Sequence, residues 1–93
     1  MENYTYPLDT DWSTAEIVQV VDFYNAVEQA FEKGINKAAL LDKYQVFKKI
    51  VPSKMQEKQL DKQFNTVSGY SIYQAIQAAR ATTGTQVHIK EGQ

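Results

Sequence analysis

The chain has 93 residues, of which 43% are hydrophobic and 23% are charged, and its net charge at neutral pH is −1. This length favours a single domain, since a second one would be too small to sustain its own core, and the composition excludes wholesale disorder. The near-zero charge predicts no general attraction to nucleic acid or anionic lipid. The lack of cysteine excludes disulfides and thiolate zinc sites.

The charges are segregated along the chain. Residues 1–32 contain seven acidic residues and no lysine or arginine, whereas residues 33–62 contain eight lysines and three acidic residues. Either an acidic first helix packs beside a basic middle segment, or the protein has a segregated binding face. No apolar run approaches the ~18 residues of a membrane span, and the first residues do not resemble a signal peptide. We therefore expect a cytoplasmic, bacterial-type protein with no membrane partner.

The predicted elements begin after an extended arm, residues 1–12, that carries Tyr4, Tyr6 and Trp12. Ser13 and Glu16 have the spacing of a capping box, which predicts the start of a helix over about 13–33. Its apolar residues sweep an arc of roughly 220°, with Val18 outside it, so this helix should be central to the core. Gly34 is placed to end it in a left-handed conformation.

Three further helices follow, over about 37–51, 54–67 and 72–82. Asn36 can cap the first of these, and Pro52 ends it because proline disfavours helical geometry in the residue before it. Ser53 and Ser71 open the other two as capping boxes, with Gly69 and Gly84 as the stop signals. The segment 54–67 has only a thin apolar seam, namely Leu60, Phe64 and Val67.

These signals predict an all-α protein, a compact irregular array of four helices with an extended N-terminal arm and a frayed C-terminal tail. The single helical domain should cover residues 1–84. Residues 85–93 alternate only weakly between apolar and polar and have no evident partner strand, so we expect them to form the tail.

Three blocks of sequence resemble those of a known family. They are Asp11-Trp12-Ser13-Thr14, the segment 47–54 around Pro52, and the segment 68–73 around Gly69. Together they are similar to uncharacterised protein family 0223 over roughly residues 2–82. The resemblance implies a small helical cytosolic protein of Gram-positive bacteria with no assigned activity.

Catalytic chemistry is poorly supported by the sequence. Nucleophilic sites need an activating base, usually histidine, and the single histidine, His88, falls in the predicted tail. The serines are placed as caps or turn residues, and the glycines are too scattered to form a phosphate-binding loop. We therefore expect a protein that is not an enzyme, with no catalytic residues, no cofactor and no metal site.

Lys54, Lys58 and Lys62 recur every four residues and form a stripe on the third helix. A Lys- and Gln-rich helix after a proline corner can imitate a helix-turn-helix that contacts nucleic acid. The alternative is an ordinary solvated face, in which Glu57 pairs with Lys54 and Asp61 pairs with Lys58. The sequence favours the solvated face, because the helix lacks arginine and the protein is acidic overall.

Tyr70 and Tyr73 lie at the short connection between the third and fourth helices and form a possible protein interface. Alternatively, they only cover the edge of a small core. The leading hypothesis is a non-catalytic protein-interaction module that binds a protein partner or forms a homo-oligomer. The alternative is a weak nucleic-acid-binding protein. Whether Lys48, Lys49 and the stripe share one face is the feature that discriminates between them.

Overall fold

A computed structural model describes residues 6–89, and this part of the chain contains four helices. They are α1 (Thr14–Glu32), α2 (Lys37–Ile50), α3 (Lys54–Ser68) and α4 (Ile72–Ala81). The all-α prediction is confirmed, and each helix boundary lies within one residue of its predicted position. Residues 6–9 of the N-terminal arm have no regular structure, and residues 10–12 form a turn that leads into α1. Tyr4 lies outside the described residues.

The helices begin where side-chain caps were predicted. Ser13 Oγ accepts a hydrogen bond from the Glu16 amide at 3.2 Å, and Glu16 Oε1 accepts one from the Ser13 amide at 2.8 Å. Asn36, Ser53 and Ser71 likewise cap the amides of α2, α3 and α4. The predicted boxes at Ser53 and Ser71 are both incomplete, since at each only the serine accepts a hydrogen bond. Gln56 instead donates its side-chain amide to Asp9 in the arm at 3.0 Å.

Two of the three predicted glycine stops adopt the left-handed conformation. Gly34 has φ +95° after α1, and Gly69 has φ +82° at the end of α3. The prediction for Gly84 was wrong. Thr82 already leaves α4 with extended backbone, at φ −74° and ψ 132°, so the helix ends before Gly84 is reached.

Helix α1 lies at the centre of the core, as its wide apolar arc predicts. Seven of its residues are buried: Val20, Phe23, Tyr24, Ala26, Val27, Ala30 and Phe31. Phe23 stacks on Phe47 of α2 with 4.7 Å between ring centroids, and Tyr24 stacks on Phe64 of α3 at 4.9 Å. Val18 is 62% exposed, in agreement with its position outside the arc. The α3 seam is thinner than predicted, because Val67 is exposed.

The predicted absence of a partner strand after residue 84 was wrong. Strands β1 (Ile35–Asn36) and β2 (Gln86–Val87) pair in an antiparallel ribbon, with Ile35 opposite Val87 and Asn36 opposite Gln86. Val87 is buried, and the Ile89 amide donates to the Ala30 carbonyl at 2.7 Å. Burial of Val87 offsets the weak local strand propensity. Residues 90–93 of the predicted tail lie outside the described residues.

The N-terminal arm connects α1 to α3. Tyr6 packs against Tyr24 and Phe64, with centroid distances of 5.4 and 6.2 Å. The buried Tyr24 hydroxyl donates to the Pro7 carbonyl at 2.8 Å. Together with the Gln56–Asp9 hydrogen bond, these contacts hold α3 against the rest of the domain. The position of α3 matters because this helix forms one wall of the site described next.

Candidate functional site

The last three helices border a groove of about 1180 Å³, called the basic groove here. The connection from α2 to α3 is only three residues long, so these helices are neighbours at the Pro52 corner, and α4 packs against both. Six cationic side chains and two carboxylates, Glu57 and Asp61, line the groove, which gives it a net charge of +4. The cations are Lys48 and Lys49 of α2, Lys54, Lys58 and Lys62 of α3, and Arg80 of α4.

Glu57 is engaged by groups on α2. Its Oε1 pairs with Lys48 Nζ at 2.6 Å, and its Oε2 accepts a hydrogen bond from the Tyr44 hydroxyl at 2.8 Å. Only 18% of the Glu57 side chain is exposed, so both oxygens have partners in a partly desolvated position. This carboxylate therefore joins α2 to α3 and is occupied before any ligand arrives.

Asp61 is engaged by the N-terminus of α4. Its Oδ1 accepts from the Ile72 amide at 2.8 Å, and its Oδ2 accepts from the Tyr73 amide at 3.3 Å. A carboxylate is stabilised there because the first amides of a helix have no partners within the helix and carry partial positive charge. Asp61 thus fixes α4 against α3 and sets the backbone position of Tyr73.

The lysines next to these carboxylates in sequence remain unpaired. We expected Glu57 to pair with Lys54 and Asp61 with Lys58, and this expectation was wrong, because both carboxylates turn to other helices. Within residues 6–89, Lys49, Lys54, Lys58 and Lys62 form no ion pair. Four lysines of the basic groove are therefore available to an anionic ligand.

Arg80 of α4 and Tyr44 of α2 contact each other in the lining of the groove. The Arg80 guanidinium carbon lies 5.7 Å from the centre of the Tyr44 ring, a cation–π distance. Burial, together with the hydrogen bond to Glu57 and its charge, raises the pKa of Tyr44 to about 12, although Arg80 opposes the shift. Tyr44 stays protonated at neutral pH and keeps donating to Glu57.

The two tyrosines predicted as a possible interface occupy different environments. Tyr70 is half-buried and stacks on Phe31 of α1 at 4.8 Å, while its hydroxyl donates to Glu32 at 2.8 Å. Tyr73 is 65% exposed and lines the basic groove. The structure therefore brings Tyr73 together with Lys54, Lys58 and Lys62, and it places Tyr70 against α1.

Sequence reasoning did not select Arg80 as a site residue, although its spacing from Tyr73 along the fourth helix could have indicated it. Tyr73 and Arg80 are seven residues apart on α4, so they lie on one helix face, which flanks the buried face at Ile76. The sequence left open whether Lys48 and Lys49 share a face with the stripe on the third helix. In the structure, all five lysines line the same groove. The shared face that the nucleic-acid alternative requires is therefore present, and an acidic protein segment requires the same face, so the choice between the two depends on other features.

Other side-chain chemistry is sparse in the described part of the chain. His88 is exposed next to β2, and Ser13, Ser53 and Ser71 accept hydrogen bonds from helix amides. No group of three His, Asp or Glu side chains that could hold a metal ion occurs among residues 6–89. In the same range, no helix combines the length and apolar character needed to cross a membrane.

Fold and groove together define a small all-α protein with a basic groove bordered by its last three helices. Residues 3–88 match the model of an uncharacterised protein family, UPF0223, and the chain belongs to that family. It is 58% identical to a UPF0223 protein of Bacillus cytotoxicus over 85% of this chain and 89% of the relative. It is 56% identical to a UPF0223 protein of Streptococcus mutans, over 86% of this chain and 87% of that one. The family resemblance found in the sequence is confirmed.

Proposed function

We propose that the protein is a non-catalytic protein-interaction module of the cytoplasm that binds an acidic segment of a partner protein in the basic groove. One observation carries the proposal: six cationic side chains from three helices line a single concave surface in a chain whose net charge is −1. Since the groove is +4, the rest of the chain carries −5. Such a concentration of positive charge attracts and orients a negatively charged partner.

The state of the carboxylates in the groove supports this proposal. If Glu57 and Asp61 paired with the α3 lysines, an incoming acidic segment would have to displace them. Instead, each carboxylate has partners on another helix, which leaves the lysines charged and accessible. An acidic segment can therefore reach these lysines without first displacing an ion pair.

A non-catalytic role agrees with the chemistry of the groove. Its lining consists of lysines, one arginine, amide side chains, two engaged carboxylates, two tyrosines, Ser71 and Ile76, without histidine. General acid–base catalysis needs a group whose pKa lies near the operating pH. Tyr44, with its pKa raised to about 12, does not meet that requirement.

Single-stranded nucleic acid is the second candidate ligand, and Tyr73 is the observation that favours it. An exposed aromatic ring beside a row of lysines resembles the surfaces on which unpaired bases stack while cations contact phosphates. We rank it second because the groove contains a single arginine, the residue that most often contacts guanine, and lysines supply the rest of its positive charge.

A binding titration tests the proposal and separates the candidates. The purified protein is titrated with fluorescent poly-glutamate and with single-stranded RNA over a range of salt concentrations. We expect poly-glutamate to bind at low salt and to dissociate as salt rises. If RNA were the ligand, the logarithm of its binding constant would fall by roughly 0.7 per phosphate contact for each decade of salt.

Two double variants of equal charge provide the control. Lys58→Gln with Lys62→Gln removes two cations from the groove, and Lys33→Gln with Lys43→Gln removes two from elsewhere on the surface. The first variant should weaken poly-glutamate binding several-fold, while the second should leave it near the wild-type value. Equal losses in both variants, or no binding by wild-type protein at low salt, would contradict the proposal.

A further inference from the structure

Lys54, Lys58 and Lys62 form an evenly spaced row along the α3 wall of the groove, called the lysine row here. A helix rises about 1.5 Å per residue, so successive lysines of the row are about 6 Å apart and the row is about 12 Å long. All three side chains are exposed, and none forms an ion pair within residues 6–89. The lysine row therefore presents three cations with a defined repeat.

A second α-helix can match that repeat, because carboxylates placed every fourth residue on it have the same spacing. Rows of side chains four residues apart are also the rows that interdigitate in the commonest class of helix packing. In that class the two rows run side by side, and the helix axes cross at about −50°. Each lysine of the row can then face one carboxylate of the partner helix.

We infer that the occupant of the basic groove is an acidic α-helix of a partner protein, with Asp or Glu at every fourth position along the face it presents to α3. The inference rests on the proposed function and adds the conformation and spacing of the bound segment. Lys49 and Arg80, from the other walls, are the remaining cations that the partner helix meets. Lys48 contributes less, because Glu57 already occupies it.

An extended acidic segment has a similar charge spacing but fits the groove less well. Alternate residues of a strand lie on one face about 6.6–6.8 Å apart, close to the repeat of the lysine row. Extended segments are, however, bound mainly by sheet edges, which pair with their backbone amides and carbonyls. The walls of this groove are helices, whose interior backbone groups are paired within the helix. A bound helix satisfies its own backbone, which favours it over a strand here.

Tyr73 supplies the apolar part of the recognition. Its ring is 65% exposed, and its backbone amide is held by Asp61 of α3, so the ring stands at a fixed height beside the lysine row. Tyrosine combines a large apolar surface with a polar end and is enriched in interface cores. The partner helix should therefore be amphipathic, with an apolar side chain next to its acidic row that packs on Tyr73.

Three peptides of identical composition test the inference. The first is a helix-forming, alanine-rich peptide with glutamates at every fourth position and one leucine beside them. The first peptide also has a proline at one end. In the second peptide, the same glutamates are distributed around the helix. In the third peptide, the terminal proline of the first peptide changes places with one central alanine. We expect the first to bind about tenfold more tightly than either of the others, the loss expected when three surface charge pairs are broken together.

A charge-swap variant provides the matched control. In Lys54→Glu/Lys58→Glu/Lys62→Glu, binding of the first peptide should be lost, and binding of its lysine-for-glutamate counterpart should appear. Circular dichroism and thermal melting establish that the variant is folded. If it is not, the corresponding triple glutamine variant replaces it and should lose the spacing preference. Tyr73→Ser should weaken binding of the first peptide. It should leave unchanged the binding of a version of that peptide without leucine.

The possible results separate this inference from the proposed function. Equal affinity for all three peptides would overturn the inference, while the acidic-segment function would stand. Failure of every acidic peptide and of poly-glutamate would overturn both. Tight RNA binding that acidic peptides do not displace would also overturn both the inference and the proposed function. Concentration-dependent self-association that blocks the first peptide would show that the occupant is a second copy of the chain and would also overturn the inference.

Discussion

Glu28 of α1 has an environment that sequence periodicity does not reveal. Its Oε1 accepts a hydrogen bond from the Tyr6 hydroxyl of the N-terminal arm at 2.9 Å. Burial, and then the charge of Glu32 one turn away, raise the pKa of Glu28 above its usual value. At neutral pH the folded protein therefore holds a carboxylate whose charged form is disfavoured where it lies.

The raised pKa of Glu28 predicts a pH-dependent difference between wild type and Glu28→Gln. Glu28 binds its proton more tightly in the folded state than in the unfolded state. Its contribution to the free energy of unfolding is therefore complete below pH 4.5, the usual pKa, and is lost as pH rises through the folded-state pKa. Glutamine keeps an oxygen that accepts from Tyr6 and does not titrate. We expect the variant to gain stability relative to wild type as pH rises above 4.5.

Urea denaturation at a series of pH values measures this difference. Glu16→Gln is the comparison, because Glu16 is a partly exposed acid of the same helix that takes part in the capping box. Glutamine keeps the oxygen that accepts from the Ser13 amide but loses the negative charge that the N-terminus of α1 favours, so this variant should be slightly less stable than wild type at neutral pH, not more stable. A Glu28→Gln variant whose stability falls in parallel with wild type from pH 4 to 7 would contradict the assignment.

At the scale of single elements, the ends of the helices depend on backbone conformation as much as on hydrogen bonds. Gly69 ends α3 with φ +82°, and a Cβ added there would meet no atom within 4 Å. Any cost of a side chain at this position therefore comes from the backbone conformation and not from a clash. The connection to α4 is short, so the same glycine also sets where Tyr73 stands beside the groove.

Gly69→Ala should lower the free energy of unfolding by roughly 1 kcal/mol, because non-glycine residues rarely adopt positive φ. Gly84→Ala is a matched control, since Gly84 does not have positive φ and its added Cβ would also meet nothing within 4 Å. The control should be neutral or slightly stabilising, because alanine restricts the unfolded chain. Chemical denaturation of both variants checks this, and equal effects in the two would refute the φ argument.

At the scale of the whole molecule, stability depends on the contacts that α1 makes with the other helices. Phe23 is fully buried and stacks on Phe47 of α2, next to the Tyr24–Phe64 pair that joins α1 to α3. The two stacked pairs therefore meet along the middle of α1. Loss of one ring would leave a cavity where three helices converge.

Phe23→Ala should cost about 3–5 kcal/mol, the range measured for large truncations in protein cores. That is a large part of the 5–15 kcal/mol that is typical for a domain. Val18→Ala, on the same helix but 62% exposed, should change stability by no more than about 0.5 kcal/mol. Thermal melting of both variants measures the contrast. A melting temperature for Phe23→Ala close to that of wild type would show that α1 is not the centre of the core.

The boundaries of the four helices and the lysine row could be predicted from the amino-acid sequence, because they depend on local interactions. A cap joins residues three positions apart, a glycine stop depends on one φ angle, and a helical row has a fixed rise per residue. Ser13, Gly69 and Lys54, Lys58 and Lys62 accordingly play the local roles that their spacing predicts. The family could be recognised for the same reason, from short blocks of adjacent residues.

The groove and the β ribbon depended on the tertiary structure, because their parts are distant in sequence. Glu57 is nine residues from Lys48 and thirteen from Tyr44, and Asp61 is eleven from Ile72, so no local pattern predicts that these carboxylates turn away from the adjacent lysines. Val87 likewise finds its partner strand 52 residues earlier, at Ile35. Packing of α4 against α2 and α3 brings Arg80 and Tyr73 beside the lysine row, and it thereby turns a solvated helix face into one wall of the basic groove.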